Sequence, residues 1–125
     1  MGKHKKEIQE IEEFLSRLRD EEKPIIVEGK KDTHALKNLG ASHITVLYSA
    51  PHYKIIENIA KKDNGVIILT DLDKKGRQLY SKLNHEFQQR GIHVDNSYRY
   101  FLFRKTKIRQ IEGLYSHLVK EGVVE

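Results

Sequence analysis

Two short apolar runs that each end in carboxylates constrain the fold of this chain more than any other feature. Residues 24–29 read PIIVEG, and residues 66–73 read VIILTDLD. Uninterrupted runs of Ile and Val are typical of strands that are buried on both faces of a parallel sheet. Ligands of open α/β sheets bind outside the carboxyl ends of such strands. We therefore expect Glu28, Asp71 and Asp73 to meet at one edge of the sheet.

Carboxylates that meet at one place repel one another unless a cation or a proton separates them. The pattern therefore predicts either a metal site or an acid/base site. Both aspartates have a second interpretation, because Asp71 or Asp73 could cap the helix that follows them. One of the two could cap this helix while the other binds a metal ion.

The segments around the apolar runs have helical spacing. An amphipathic helix is predicted within residues 4–22, where Ile8, Ile11, Leu15 and Leu18 recur every three or four positions. Further helices are predicted at residues 32–39, 51–62 and 75–90, and further strands at residues 43–48 and 92–94. Asp32 is the expected N-cap of the second helix. The alternation of strands and helices predicts an α/β fold with a doubly wound parallel sheet.

The stretch from Tyr98 to Arg109 is basic and aromatic, with the sequence YRYFLFRKTKIR. Two interpretations of residues 98–103 stay open: an edge strand with Phe101 and Phe103 on its core face, or a loop. In either case we expect the basic side chains to face outward and contact phosphates, while exposed rings could stack on unpaired bases. These basic residues are Arg99, Arg104, Lys105, Lys107 and Arg109. A final helix is predicted over residues 108–120.

Composition restricts the classes of function. The chain contains no cysteine, which excludes disulfides, thiolate metal sites and cysteine nucleophiles. No apolar run approaches the length of a membrane span and no signal peptide is visible, so we expect a cytoplasmic protein without a membrane partner. The formal net charge of +5 favours a polyanionic partner, although such a charge can also serve only solubility.

Two motifs together resemble the Toprim domain that topoisomerases and primases share. The first is Glu28-Gly29-Lys30-Lys31-Asp32, and the second is Asp71-Leu72-Asp73-Lys74-Lys75-Gly76-Arg77. The likeness covers about residues 24–94 and is greatest to small stand-alone Toprim proteins. The stretch Glu-Gly-Lys-x-Asp-Thr is also similar to the Toprim part of the nucleases that mature 5S ribosomal RNA.

The resemblance implies a Toprim (Rossmann-like) α/β fold, with about four mainly parallel strands between layers of helices. It implies one domain over residues 1–125, with a core at residues 24–95. An N-terminal helix at residues 4–22 would precede this core, and a basic extension at residues 96–125 would follow it.

The resemblance also implies roles for individual residues. Glu28 would be the general acid or base, and Glu28, Asp71 and Asp73 would hold Mg²⁺, with Mn²⁺ as a substitute. A hard divalent cation prefers oxygen ligands, so two carboxylates and phosphate oxygens suffice to hold it. The expected phosphate and nucleic-acid contacts near these carboxylates are Lys30, Lys31, Asp32, Lys74, Gly76 and Arg77. Gly29 and Gly76 would let the backbone approach a phosphate.

Two functions follow from these expectations. The first is Mg²⁺-dependent phosphodiester chemistry, with a nuclease acting on structured RNA favoured over one acting on DNA. The alternative is a non-catalytic Toprim module that binds nucleic acid together with a partner protein or as a homo-oligomer. A complete topoisomerase or primase is disfavoured, because both need further domains. Receiver domains and aspartate-nucleophile phosphatases place their aspartates on other strands.

Overall fold

The two apolar runs form the two central strands of a parallel sheet. The computed structural model describes residues 5–124. Strand β1 (Ile25–Val27) lies between β2 (Ile44–Val46) and β3 (Gly65–Ile68), and β4 (His93–Val94) forms the far edge. All three strand pairings are parallel. The predicted α/β fold with four parallel strands is therefore confirmed.

Six α-helices surround the sheet in the described part of the chain. They are α1 (Lys5–Asp20), α2 (Lys30–Asn38), α3 (His52–Lys62), α4 (Lys74–Gln89), α5 (Ser97–Lys105) and α6 (Leu114–Lys120). Two 3₁₀ turns, Leu47–Ser49 and Ile111–Gly113, complete the order of elements. None of the helices within residues 5–124 is both long enough and apolar enough to span a bilayer.

Side chains of successive strand residues point to opposite faces of the sheet and so build two cores. Ile25 and Val27 of β1 face a core that includes Phe14 of α1, Leu36 of α2 and residues of α5 and α6. Ile26 faces a second core that includes Ile56 of α3 and Phe87 of α4. Because both faces are covered, strands without any polar side chain are stable here.

The pairing of β1 with β3 brings the two motifs to one edge. Ile25 is opposite Ile67, Ile26 is opposite Ile68, and the Leu69 N–H donates to the Ile26 carbonyl at 2.8 Å. Since the strands are parallel and in this register, their carboxyl ends leave the sheet side by side. We call this side of the molecule the acidic edge, defined by Glu28, Asp71 and Asp73.

The interpretation of residues 98–103 as an edge strand or a loop is wrong, since they belong to α5. Tyr98 and Leu102 are four positions apart and both are buried, as one face of a helix requires. Phe101 stacks on Phe14 with ring centres 4.5 Å apart, whereas Phe103 is 56% exposed. The two phenylalanines therefore do not share a core face, and their spacing of two does not indicate a strand.

Several predicted boundaries also move. The last helix starts at Leu114 after a 3₁₀ turn rather than at residue 108, and the strand predicted at residues 43–48 ends at Val46. The start of the leading helix at residue 4 and both ends of the domain predicted at residues 1–125 lie outside the described residues. The division into a core at residues 24–95 and an extension at residues 96–125 stays a prediction.

Candidate functional site

Glu28 and Asp71 are in direct contact at the acidic edge. Glu28 follows β1 directly and is only 8% exposed. Its Oε2 accepts a hydrogen bond from the main-chain N–H of Asp71 at 2.8 Å. The structure thus brings together two predicted site residues from separate motifs. The bond also fixes the Glu28 carboxylate relative to the loop that follows β3.

The carboxylate of Asp71 contacts the C-terminal part of the chain. Its Oδ1 accepts a hydrogen bond from the Ile111 N–H at 2.8 Å, and the next residue, Leu72, donates its N–H to the Arg109 carbonyl at 2.7 Å. Burial raises the pKa of Asp71, and the nearby charges of Glu28 and Asp73 raise it further against the effect of the Ile111 hydrogen bond. Asp71 is therefore held where negative charge is unfavourable without a counter-charge.

Asp73 is the N-cap of α4. Its Oδ1 accepts a hydrogen bond from the Gly76 N–H at 2.8 Å, which satisfies one of the free donors at the start of the helix. Of the two aspartates that could cap this helix, Asp73 does so. The cap uses one oxygen of its carboxylate and leaves the other for a further contact.

Gly76 lies against the main chain of Asp71. A methyl group at position 76 would stand 1.9 Å from the Asp71 carbonyl oxygen, so only glycine fits there. The prediction that this glycine leaves space for a phosphate is wrong, because the protein's own backbone fills that space. At Gly29, by contrast, an added methyl group would meet no atom within 4 Å. The space beside Gly29 is therefore open, and the approach of a phosphate there stays a prediction.

Asp32 is buried in the first turn of α2 and is not the N-cap of this helix. The helix begins at Lys30 with Gly29 as its N-cap, and an Asp32 side-chain oxygen accepts the Gly29 N–H at 3.1 Å. The predicted N-cap is wrong because a carboxylate three positions into the helix reaches back to this donor. Burial raises the pKa of Asp32, as does the charge of Asp71, although the Gly29 hydrogen bond lowers it.

Arg99 is buried behind the acidic edge, and the prediction that its side chain faces solvent is wrong. It is 7% exposed, donates to the Thr70 carbonyl at 2.6 Å and donates to the Asp71 carbonyl at 2.9 Å. Its guanidinium carbon also lies 4.6 Å from the centre of the Tyr80 ring. The helical conformation of α5 is the cause, because it turns Arg99 toward the sheet beside Tyr98.

A shell of exposed cations surrounds the acidic edge. Lys30 and Lys31 begin α2, Lys74 and Arg77 lie in the first turn of α4, and all four are exposed. The other predicted contacts that remain exposed are Arg104, Lys105, Lys107 and Arg109. Lys105 forms a salt bridge with Glu10 of α1 at 3.0 Å, and this carboxylate partly neutralises its charge.

Sequence reasoning missed two residues near the site, Glu112 and Tyr48. The carboxylate of Glu112 contributes to the raised pKa of both Asp71 and Asp32. Tyr48 accepts a hydrogen bond from the Lys75 ammonium at 3.3 Å, and this bond raises the pKa of Lys75, as the charges of Glu28 and Asp73 also do. Tyr48 follows β2 and could have been found as a polar group at the same sheet edge. For Glu112 the sequence contains no signal, because only folding of the C-terminal segment places it there.

The donor chemistry of the acidic edge fits Mg²⁺. Glu28, Asp71 and Asp73 each use one carboxylate oxygen to accept a main-chain N–H, and no hydrogen bond from residues 5–124 occupies the second oxygen. Within that described part, no cluster of three His, Asp or Glu side chains is close enough to enclose a metal ion. Mg²⁺ binds through one or two carboxylates, retained waters and substrate phosphates, so two carboxylates suffice, and the ligand set of three carboxylates expected from the sequence stays a prediction.

Comparison with known proteins connects this geometry to a family. A family model described as the Toprim domain matches residues 23–104. The chain is 40% identical over 114 residues to a UPF0292 protein of Methanocaldococcus jannaschii, with 88% of each chain covered. It is 38% identical over 112 residues to a UPF0292 protein of Thermococcus onnurineus, covering 88% of this chain and 84% of the relative. A solved structure from Aquifex aeolicus superposes with a TM-score of 0.75 at 29% identity, covering 82% of this chain and 95% of that one.

Proposed function

This chain belongs to the Toprim domain family, whose members in general bind Mg²⁺ and act in nucleic-acid processing, and we propose that it is an Mg²⁺-dependent nuclease acting on structured RNA. The observation that carries the proposal is the contact of Glu28 with Asp71 beside Asp73, at a sheet edge surrounded by exposed cations. The similarity of the first motif to the Toprim part of 5S ribosomal RNA maturation nucleases supports RNA as the substrate.

In this proposal water attacks the phosphorus and forms a new P–O bond as the bond to the leaving oxygen breaks, and Glu28 either takes a proton from the water or gives one to the leaving oxygen. Its Oε2 is held by the Asp71 N–H, so Oε1 is the oxygen left to accept or donate the proton. Because the side chain is mostly buried and anchored, it does not need to be ordered when substrate binds.

Asp71 and Asp73 would hold the cation through their second oxygens. When bound, Mg²⁺ would stabilise negative charge on the transferring phosphoryl group and orient the attacking water. The main-chain bonds from Ile111 and Gly76 orient these two carboxylates before any ion arrives. Lys30 and Arg77 would hold the phosphates on either side of the scissile bond, Arg77 through two parallel donors and Lys30 as a point charge.

The direct test is a cleavage assay with purified protein, Mg²⁺ or Mn²⁺, and labelled panels of structured RNA and DNA. We expect RNA cleavage that Glu28→Gln and Asp71→Asn each abolish. Glu57→Gln is the matched control, because Glu57 is half exposed on α3 and, among residues 5–124, forms its one salt bridge with Lys61 at 3.1 Å. Cleavage that survives Glu28→Gln would contradict the catalytic role of Glu28.

A second candidate is a module that binds nucleic acid without cutting it and acts with a partner protein or as a homo-oligomer. Glu28, Asp71 and Asp73 each accept a main-chain hydrogen bond with one carboxylate oxygen, and this favours the second candidate. Carboxylates that only stabilise the fold need no contact beyond these hydrogen bonds. Salt-sensitive RNA binding by the wild type, kept in both variants and never followed by cleavage, would select this candidate.

A further inference from the structure

A small pocket lies between α4 and α5, next to the acidic edge. Its volume is about 220 Å³, and its lining residues are Leu72, Arg77, Tyr80, Arg99, Tyr100 and Phe103. Arg77 and Tyr80 are three positions apart on α4, and Tyr100 and Phe103 are three positions apart on α5. Residues at this spacing share a helix face, so the pocket is formed by two helix faces with Leu72 between them.

The aromatic wall of this pocket is open to solvent. Tyr100 is 60% exposed and Phe103 is 56% exposed, whereas Tyr98 and Leu102 on the same helix are almost completely buried. The core therefore does not require aromatic residues at positions 100 and 103. Exposed rings beside a concave surface are the feature by which proteins stack the unpaired bases of nucleic acids.

The charges around the pocket suit a nucleotide. Two of the lining residues are arginines and none is acidic. The guanidinium carbon of Arg109 lies 5.9 Å from the centre of the Phe103 ring, which adds a third cation at the rim. The two parts of a nucleotide match this arrangement: the planar base would lie inside the pocket, and the anionic phosphate would lie at its rim. The volume is below the ~300–1,000 Å³ typical of pockets for whole small-molecule ligands, so a single base fits better than a larger molecule.

The position of Leu72 connects the pocket to the acidic edge. Leu72 stands between Asp71 and Asp73 in the chain, is 5% exposed, and is fixed by its hydrogen bond to the Arg109 carbonyl. Leu72 therefore belongs both to the pocket and to the loop that carries Asp71 and Asp73.

We propose that this pocket binds one unpaired base of an RNA substrate, stacked against Tyr100 and Phe103, with the adjacent phosphate on Arg77. This inference rests on the proposed function, because it selects the substrate class: structured RNA with an unpaired nucleotide next to the bond that is cut. The stacking itself needs neither metal nor catalysis, and so it can be measured alone.

The test compares two labelled RNA hairpins, one fully paired and one with a single bulged nucleotide, by fluorescence anisotropy in the presence of EDTA. We expect Tyr100→Ala and Phe103→Ala each to weaken binding of the bulged hairpin by about tenfold, as the loss of one base–aromatic stack does. Binding of the paired hairpin should not change. Tyr100→Phe and Phe103→Tyr should restore tight binding, and Tyr53→Ala is the control because Tyr53 is 63% exposed on α3.

A second readout uses 2-aminopurine at the bulged position, whose fluorescence decreases when it stacks. We expect quenching with wild type and Tyr53→Ala, and its loss in Phe103→Ala. Equal binding of both hairpins by wild type, or unchanged quenching in Phe103→Ala and Tyr100→Ala, would overturn the pocket assignment. Bulge-selective stacking without any cleavage would uphold the pocket and reject the nuclease. Cleavage without bulge preference would uphold the nuclease and reject the pocket.

Discussion

The guanidinium of Arg99 donates a hydrogen bond to the main-chain carbonyl of Asp71 at 2.9 Å. A second bond from the same group reaches the Thr70 carbonyl at 2.6 Å, and the Thr70 hydroxyl in turn donates to the Gly76 carbonyl at 2.7 Å. One buried cation thus connects α5, the end of β3 and the first turn of α4. The loop that carries Asp71 and Asp73 is therefore positioned from behind by Arg99.

We predict that Arg99→Met lowers the free energy of unfolding by about 1–3 kcal/mol, because buried carbonyls lose their donor. Mg²⁺ affinity should also fall, since the loop that positions Asp71 loses its support, and Arg99→Lys should restore only part of it. Chemical denaturation and isothermal titration calorimetry measure the two effects. Arg104→Met on the exposed side of α5 should change stability by no more than about 0.5 kcal/mol. Normal Mg²⁺ binding by a folded Arg99→Met protein would refute the positioning role.

The contact of Gly76 with Asp71 gives a second prediction. Gly76→Ala should lower the free energy of unfolding by at least about 1–3 kcal/mol, because the new methyl group would overlap the Asp71 main chain and α4 would have to move. Gly113→Ala is the matched control: its methyl group would meet no atom within 4 Å and its φ of −89° suits alanine. Urea denaturation should show a large loss for the first variant and a change within about 0.5 kcal/mol for the second.

The Asp71→Asn variant should be at least as stable as wild type without Mg²⁺ and less stable than wild type with saturating Mg²⁺. Burial and neighbouring carboxylates raise the pKa of Asp71, so its negative charge at pH 7 is a cost to the folded state. Without divalent ions the variant should therefore melt at a temperature equal to or above that of wild type. Saturating Mg²⁺ should raise the melting temperature of wild type and Glu57→Gln but not of Asp71→Asn, because only ions that bind the folded state stabilise it. A variant that responds to Mg²⁺ as wild type does would remove Asp71 from the ligand set.

The Tyr98 hydroxyl donates a hydrogen bond to Glu21 at 2.9 Å, which predicts a pH-dependent contribution to stability. Burial acts to raise the pKa of Glu21, but hydrogen bonds from Lys23 and Tyr98 outweigh it and hold the pKa below its ordinary value of 4.5. A lowered pKa means that this stabilisation is complete above about pH 4.5 and is lost as the pH falls through the folded-state pKa.

Tyr98→Phe should therefore cost about 1 kcal/mol at pH 7 and less at pH 3, as measured by urea denaturation at both values. Asp95 also has a lowered pKa, but it titrates in both wild type and Tyr98→Phe. Its contribution therefore largely cancels in the difference between their free energies of unfolding. Tyr53→Phe should show no cost at either pH, because Tyr53 is exposed. A cost for Tyr98→Phe that does not decrease in acid would mean that the charge of Glu21 does not contribute through this bond.

The sequence by itself determined the sheet and its acidic edge. The runs ending at Glu28 and Asp71 are local patterns, and parallel strands necessarily release their carboxyl ends on one side. For this reason the fold class and the approach of these two residues followed from residue order alone. The capping role of Asp73 was one of two local alternatives that the sequence contained.

Only the tertiary structure decided what the segment after Asp95 does. Its aromatic residues fit a period of two as well as a helix, and packing of Tyr98 and Leu102 into the core selects the helix. That choice buries Arg99 beneath the Asp71 loop, exposes Tyr100 and Phe103, and returns the chain so that Ile111 binds Asp71. Contacts between residues this far apart in sequence have no periodic signal, because they depend on where complete helices pack rather than on the spacing of neighbours.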